Sequence, residues 1–272
     1  IKAALSTAVL LLAISPFAFA QSYLLAQQEF ITLRKQLGIN KISDILFLLD
    51  TSGNVSTYGF EAEKKFVMNF LSTITVSFEE ARVAVIPFGN TASLYIHGVS
   101  NPSLDKDKCD LIQKLKQMPH SYAFATNTKG AFQLAYDVCV KKYSRNKVRT
   151  VVILITDGMW NWPFHDPNPI PIAQRLHAAN VEVFAIGVGN FANLPDLQKL
   201  VKDPAKQAFH LKDFGELNEL SLFVRGDPKR NWQPLESHKC NNNCKQLCIC
   251  DLQNYDYKDL RQEVNQMPED VK

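Results

Sequence analysis

Three short stretches of the chain concentrate side chains able to hold a cation. Asp50-Thr51-Ser52-Gly53-Asn54 offers a carboxylate, a hydroxyl and an amide at alternate positions. Ala125-Thr126-Asn127-Thr128 adds hydroxyls, and Thr156-Asp157-Gly158 adds a second carboxylate. The candidate ligands are therefore Asp50, Ser52, Asn54, Thr126 and Asp157. All are hard oxygen donors, and none is an imidazole or a thiolate. Such a set suits one Mg2+, Mn2+ or Ca2+ ion and argues against zinc or copper. Few carboxylates leave the ion with uncompensated positive charge. Few protein ligands leave waters in its shell, at positions a partner's carboxylate can take. A lone Asp after a strand more often caps a turn or helix, as Thr126 alone would cap a helix. The joint pattern is what points to a metal site.

These stretches need a scaffold that brings them together. Residues 45–49 are an unbroken apolar run ending at Asp50, the pattern of a strand buried on both faces. Residues 57–74 then carry Phe60, Val67, Phe70, Leu71 and Ile74 at helical spacing. The alternation continues with strands over 82–88, 93–96, 150–155, 181–188 and 209–211. Helices are expected over 107–118, 128–143, 172–179, 195–201 and 214–224. Strands alternating with helices of this length predict an α/β fold: a doubly wound, mainly parallel sheet with helices on both faces, Rossmann-like in architecture. In such sheets ligands sit beyond the carboxyl ends of the strands, where Asp50 and Asp157 fall.

The ordered set of motifs resembles the von Willebrand factor A-type family. That family's metal-ion-dependent adhesion site, Asp-x-Ser-x-Ser after a buried first strand, stands here as Asp50-x-Ser52-x-Asn54. Its threonine loop corresponds to Thr126-Asn127-Thr128, and its Thr-Asp-Gly to Thr156-Asp157-Gly158. The likeness runs from about residue 42 to about 224 and includes Ile186-Gly187-Val188-Gly189 and Asp213-Phe214-x-x-Leu217. It implies an extracellular adhesion or matrix module, not an enzyme, whose ion bridges to an acidic residue of a protein ligand. It also implies affinity switching by movement of the last helix, residues 214–224. The departure is Asn54, which stands where the family usually has a second serine. Asn54-Val55-Ser56 is besides an N-glycosylation sequon. The expectation is an unmodified Asn54 acting as a weaker or indirect ligand. The rival reading is a metal-independent extracellular scaffold with a degenerate site.

Other classes fare worse. The chain carries 30 basic and 27 acidic residues, a net charge of +3, with no basic stripe for nucleic acid. A phosphoryl-transfer hydrolase with Asp50 as nucleophile would want a second acid where Ser52 stands. Gly187-Val188-Gly189-Asn190-Phe191-Ala192 is read as a strand-to-loop turn, not as a dinucleotide site.

The expected domains are a signal peptide at 1–20, a linker or short helix at 21–41, the A-type domain at 42–225 and a cysteine-containing tail at 226–272. Lys2, the apolar run 3–14, Pro16 and the exit Ala18-Phe19-Ala20 carry the signal reading, with a retained anchor as the alternative. Secretion follows, with no membrane span once the signal is removed. Leu24, Leu25, Phe30, Leu33 and Leu37 would form the apolar side of the 21–41 segment. Six cysteines in an exported chain suggest disulfides. A Cys109–Cys139 staple is expected, while Cys240, Cys244, Cys248 and Cys250 could pair, link chains or bind zinc. Trp160, Trp162, Phe164 and His165 follow Asp157 and either anchor a partner or pack on a helix.

Overall fold

Long runs of Val, Ile, Leu and Phe that end in a turn form strands buried on both sides, and here they build one six-stranded sheet. The computed structural model describes residues 16–38, 41–101, 108–158, 160–161 and 167–225. The strands are β1 (Ser43–Asp50), β2 (Ala81–Phe88), β3 (Ile96–His97), β4 (Arg149–Thr156), β5 (Val181–Val188) and β6 (Ala208–Leu211). Their spatial order is β3-β2-β1-β4-β5-β6, and every pairing is parallel except that of β2 with β3. The helices are α1 (Pro16–Gln36), α2 (Thr57–Ser72), α3 (Lys108–Gln117), α4 (Thr128–Tyr136), α5 (Ile170–Ala178), α6 (Leu194–Gln198), α7 (Pro204–Gln207) and α8 (Phe214–Arg225). The expected doubly wound α/β architecture is what forms.

Strand period two divides the core. Ile45, Phe47 and Leu49 face one layer with Phe30, Phe66, Leu115 and Leu217, from α1, α2, α3 and α8. Leu46 and Leu48 face the other with Phe132, Leu176 and Leu197, from α4, α5 and α6. Helix α2 leaves β1 on the first face, and α5 follows β4 on the second. The carboxyl ends of β1 and β4, which pair side by side, therefore open onto the point where the winding reverses.

At the other end of the sheet, buried Asp44 accepts two hydrogen bonds from Arg82, at 2.7 and 2.6 Å. It accepts a third from Arg145 at 2.6 Å, and Arg145 also donates to the carbonyls of Ser43, Phe78 and Glu80. Both guanidinium groups are thereby tied to the starts of β1 and β2. A crevice of about 150 Å³ at this end, bordered by Glu29, Arg149, Glu182 and Lys206, is remote from Asp50.

Several local expectations change. The strand expected over 93–96 reduces to Ile96–His97. The helix expected over 128–143 turns π-helical at Asp137–Lys142. Helix α1 buries Ala26, Phe30 and Leu33, joined by Leu37 just past its end, at spacings of four, three and four, while Leu24 and Leu25 point outward at 62% and 39% exposure. The Cys109–Cys139 staple does not form. Cys109 packs on the α2 and α3 side of the sheet and Cys139 on the α4 side, with the whole sheet between them. Cys139 is a free, buried thiol, and Cys109 is disulfide-bonded elsewhere. The signal segment before Pro16 and the four tail cysteines lie outside the described residues. No described helix is long and apolar enough to cross a membrane.

Candidate metal centre

The site begins with Asp50, the last residue of β1, which is fully buried. One carboxylate oxygen accepts from the Ser52 amide at 2.9 Å. The other accepts from the Thr156 hydroxyl, at the end of β4, at 2.6 Å. The neighbouring strand thus fixes the orientation of the carboxylate, and Asp157 follows directly. The Val55 amide closes a tight turn onto the Ser52 carbonyl at 3.2 Å, and the Ser56 hydroxyl caps α2 through the Gly59 amide at 3.0 Å.

The threonine loop is laced to the β1 loop. The Ala123 amide donates to the Thr51 carbonyl at 3.1 Å, and the Gly53 amide donates to the Ala123 carbonyl. The Ser121 hydroxyl lies 2.6 Å from that of Thr51. From the far side the Asn161 side chain accepts from the Thr126 amide at 2.9 Å, and the Asn161 amide returns a bond to the Thr126 carbonyl at 3.1 Å. Asn127 then caps α4 by accepting from the Gly130 amide at 2.9 Å. Gly89, after β2, has no side chain to obstruct Ala123, and a Cβ there would collide with it.

Four of the five sequence-selected residues are therefore buried at one end of the sheet: Asp50, Ser52, Thr126 and Asp157. Asn54 differs, lying exposed in the turn beyond Ser52. Among the described residues no three His, Cys, Asp or Glu side chains converge to hold a metal. An ion here would rest on two carboxylates plus hydroxyls and water, the hard-donor chemistry expected from the sequence.

The electrostatics leave room for a positive charge. Burial, then the charge of Asp50, pushes the Asp157 carboxyl up to about 7. Burial also raises Asp50, against the hydrogen bonds from Thr156 and Ser52. The Ser52 hydroxyl oxygen and one Asp157 carboxylate oxygen are buried without a partner. Buried polar atoms are seldom orphaned, and an ion held between these loops would give such oxygens a partner. The residues fit a hard divalent ion.

A sixth residue escaped the sequence reading. Glu63, on α2, is fully buried with both carboxylate oxygens unpartnered. Burial first, then the charges of Asp50 and Asp157, holds its carboxyl well above the ordinary range. Nearby, His120 packs between Phe60 and Tyr122, tilted against the first and edge-on to the second, with ring centroids 5.0 and 4.0 Å away. Trp160 is half-buried and packs on the second-face core, and Trp162, Phe164 and His165 lie outside the described residues. The Gly187–Gly189 stretch ends β5, where Gly187 admits Leu197 and Ala192 and Gly189 takes φ +82°. That is the strand-to-loop turn expected of it.

A mainly parallel α/β domain with hard oxygen donors gathered at its winding reversal defines the class: a Rossmann-like binding domain with a candidate cation centre. The chain belongs to the von Willebrand factor type A domain family, whose sequence profile matches residues 44–222. The mouse protein "Sushi, von Willebrand factor type A, EGF and pentraxin domain-containing protein 1" is 31% identical over 182 residues, 65% of this chain and 5% of that protein. Mouse Matrilin-2 is 23% identical over 219 residues, 77% of this chain and 21% of that protein. Cuticlin-6 of Caenorhabditis elegans is 27% identical over 180 residues, 66% of this chain and 29% of that protein. The chain thus spans less than a third of each of these relatives. Among solved structures, proximal thread matrix protein 1 from the mussel byssus has a TM-score of 0.60 at 20% identity, over 69% of this chain and 48% of that one. One structure of that protein is described as having a zinc-occupied MIDAS motif.

Proposed function

We propose that the chain is an extracellular adhesion or matrix module that recognises a protein ligand through one divalent cation and catalyses no reaction. The observation that carries this reading is the pair of orphaned, buried oxygens on Ser52 and Asp157 beside two carboxyl groups held above their ordinary range. Asp50, Ser52, Thr126 and Asp157 would hold the ion, with Asn54 at its edge. When bound, the ion supplies an exchangeable, positively charged position for a carboxylate of the partner. The Thr156 hydroxyl and the Ser52 amide keep Asp50 oriented towards it. The extracellular setting is supported by relatives with matrix names, including matrilins and Collagen alpha-4(VI) chain. The mussel protein's zinc puts that ion beside Mg2+, Mn2+ and Ca2+ in any test.

The domain limits belong to the same proposal. Cleavage after Ala20 would leave α1 from Gln21 onwards, with buried Ala26, Phe30, Leu33 and Leu37 intact.

The test is calorimetric titration of Mn2+ and Mg2+ into chelator-treated protein secreted from a eukaryotic host. One saturating ion per chain, lost in Asp157→Ala, is the expected result. A well-folded protein that binds no divalent ion would leave the scaffold reading, which the exposed Asn54 in its sequon favours. A glycan mass on the Asn54 peptide would favour it further.

A further inference from the structure

The segment that leads into Thr126 carries two aromatic side chains that the fold leaves in water. Tyr122 is 61% exposed and Phe124 68%, while Ala123 between them is buried. A Cβ on Gly89 would collide with the Ala123 methyl, so this middle residue is held inward. Its backbone is tied to the candidate cation loop twice, by its amide to Thr51 and by its carbonyl to Gly53. Ser52 and Ala123 form a parallel bridge, and the Ala125 amide donates to the Asn90 side chain at 3.1 Å. The two aromatics thus stand on a braced segment at the rim of the site, in the six residues that end at Thr126.

Tyr122 adds a second observation. Its φ is +48°, in the left-handed region that bulky residues rarely adopt and that Gly or Asn occupies at lower cost. The side chain is nonetheless fixed there. Its hydroxyl lies 2.9 Å from that of Thr57, at the start of α2, and its ring stands edge-on to His120. An aromatic kept in an unfavourable backbone conformation, oriented by two contacts and still mostly in water, offers a surface that the fold itself does not use. Rigid exposed aromatics lose little conformational freedom on binding and are common anchors for protein partners.

We propose that Tyr122 and Phe124 form an apolar subsite beside the cation, and that the partner is a protein segment in which a carboxylate has a bulky apolar side chain as its immediate neighbour. This rests on the cation reading above and deepens it. The carboxylate completes the shell of the ion, and the apolar neighbour covers the two rings. A wholly apolar partner would leave the open position on the ion unfilled. A wholly polar one would leave two aromatic faces in water.

The experiment is a biosensor titration of the full chain, in Mn2+ and in EDTA, over immobilised Gly/Ser hexapeptides. One contains Asp flanked by Phe, one Asp without Phe, and one Asn flanked by Phe. Wild type in Mn2+ should bind the first on the order of tenfold more tightly than either of the others. Tyr122→Asn, which suits a positive φ, and Phe124→Ser, at an exposed position, should both fold. Each should lose most of the preference for Phe and keep Mn2+ affinity, by calorimetry, within about twofold of wild type. Equal binding of the two Asp peptides would overturn the proposal. So would a preference for Phe that survives in both variants, or no peptide binding by a chain that takes up Mn2+. In those cases the cation reading stands. Failure of wild type to take up Mn2+ would remove both. Sedimentation of wild type as a dimer that either variant dissociates would assign the rings to a second copy of this chain and overturn the proposal as well.

Discussion

Replacing Asp157 with Asn should make the chelated protein more stable, although it removes a residue of the site. The folded chain holds the Asp157 proton up to about 7, against an ordinary value of 3.8. The folded state therefore binds that proton more tightly than the unfolded state does. Ionising the group costs folded stability, a cost that is absent below about pH 3.8 and complete above about pH 7. The full gap sets an upper bound of ~4 kcal/mol, and residual solvation brings the expectation to ~1–3 kcal/mol. Asparagine keeps the shape and loses the charge, so in chelator at pH 7.5 its melting temperature should rise by roughly 3–8 °C. The difference should shrink by about half at pH 5.5. With Mn2+ at about 100 times its dissociation constant, wild type should gain ~2.7 kcal/mol and the variant little, reversing the order. Differential scanning calorimetry of the two proteins, with and without ion, reads all of this. A chelated variant that melts below wild type at pH 7.5, or one that gains as much from Mn2+, would refute the electrostatic reasoning.

Two further outcomes follow from features away from the loops. Asp44→Asn leaves Arg82 and Arg145 facing a neutral group at the start of the sheet, and urea denaturation should show a loss of roughly 3–5 kcal/mol. Mn2+ affinity should stay unchanged in that variant, because Asp44 and Asp50 lie at opposite ends of β1. The Cys139 thiol is buried and, mainly by that burial, pushed up to about 12. Ellman's reagent should leave it untouched in the native protein and label it promptly in denaturant.

Much of the fold was legible in the sequence because buried parallel strands announce themselves. Residues 45–49, 150–155 and 183–188 are buried throughout, and each lies in the strand expected of it. Two of the three candidate loops could be located because they follow β1 and β4 directly, while the Thr126 loop precedes α4 and follows no strand. What could not be read was which side of the sheet each helix takes. That ignorance produced the Cys109–Cys139 staple, since α3 and α4 both looked like neighbours of the same core. Glu63 was passed over for a different reason. It falls three residues after Phe60 and four before Val67, within the apolar stripe of α2, and an acid in that place was the available signal. In the fold, α8 and α3 also cover α2, so Lys64, Phe66 and Met68 outside the stripe are buried as well. Asn54 was judged by type alone, and only its exposed place in the turn shows how it differs from Ser52.

The margins of the sheet bear on how such domains behave when crowded. An unpaired strand edge invites another chain to add itself and grow a shared sheet. Here one margin ends in β6, only four residues long, with Phe209 packed against Phe30 of α1 at 5.6 Å. The other ends in the two residues of β3, and behind it β2 carries Pro87, which has no amide hydrogen to donate. The segment after β2 occupies the acceptors that remain, through the Ser93 amide on Pro87 and the Tyr95 amide on Val85. Many copies held close together would find little backbone to pair with. They would stay discrete folded units, free of amyloid-like stacking, and meet one another through side chains and loops alone.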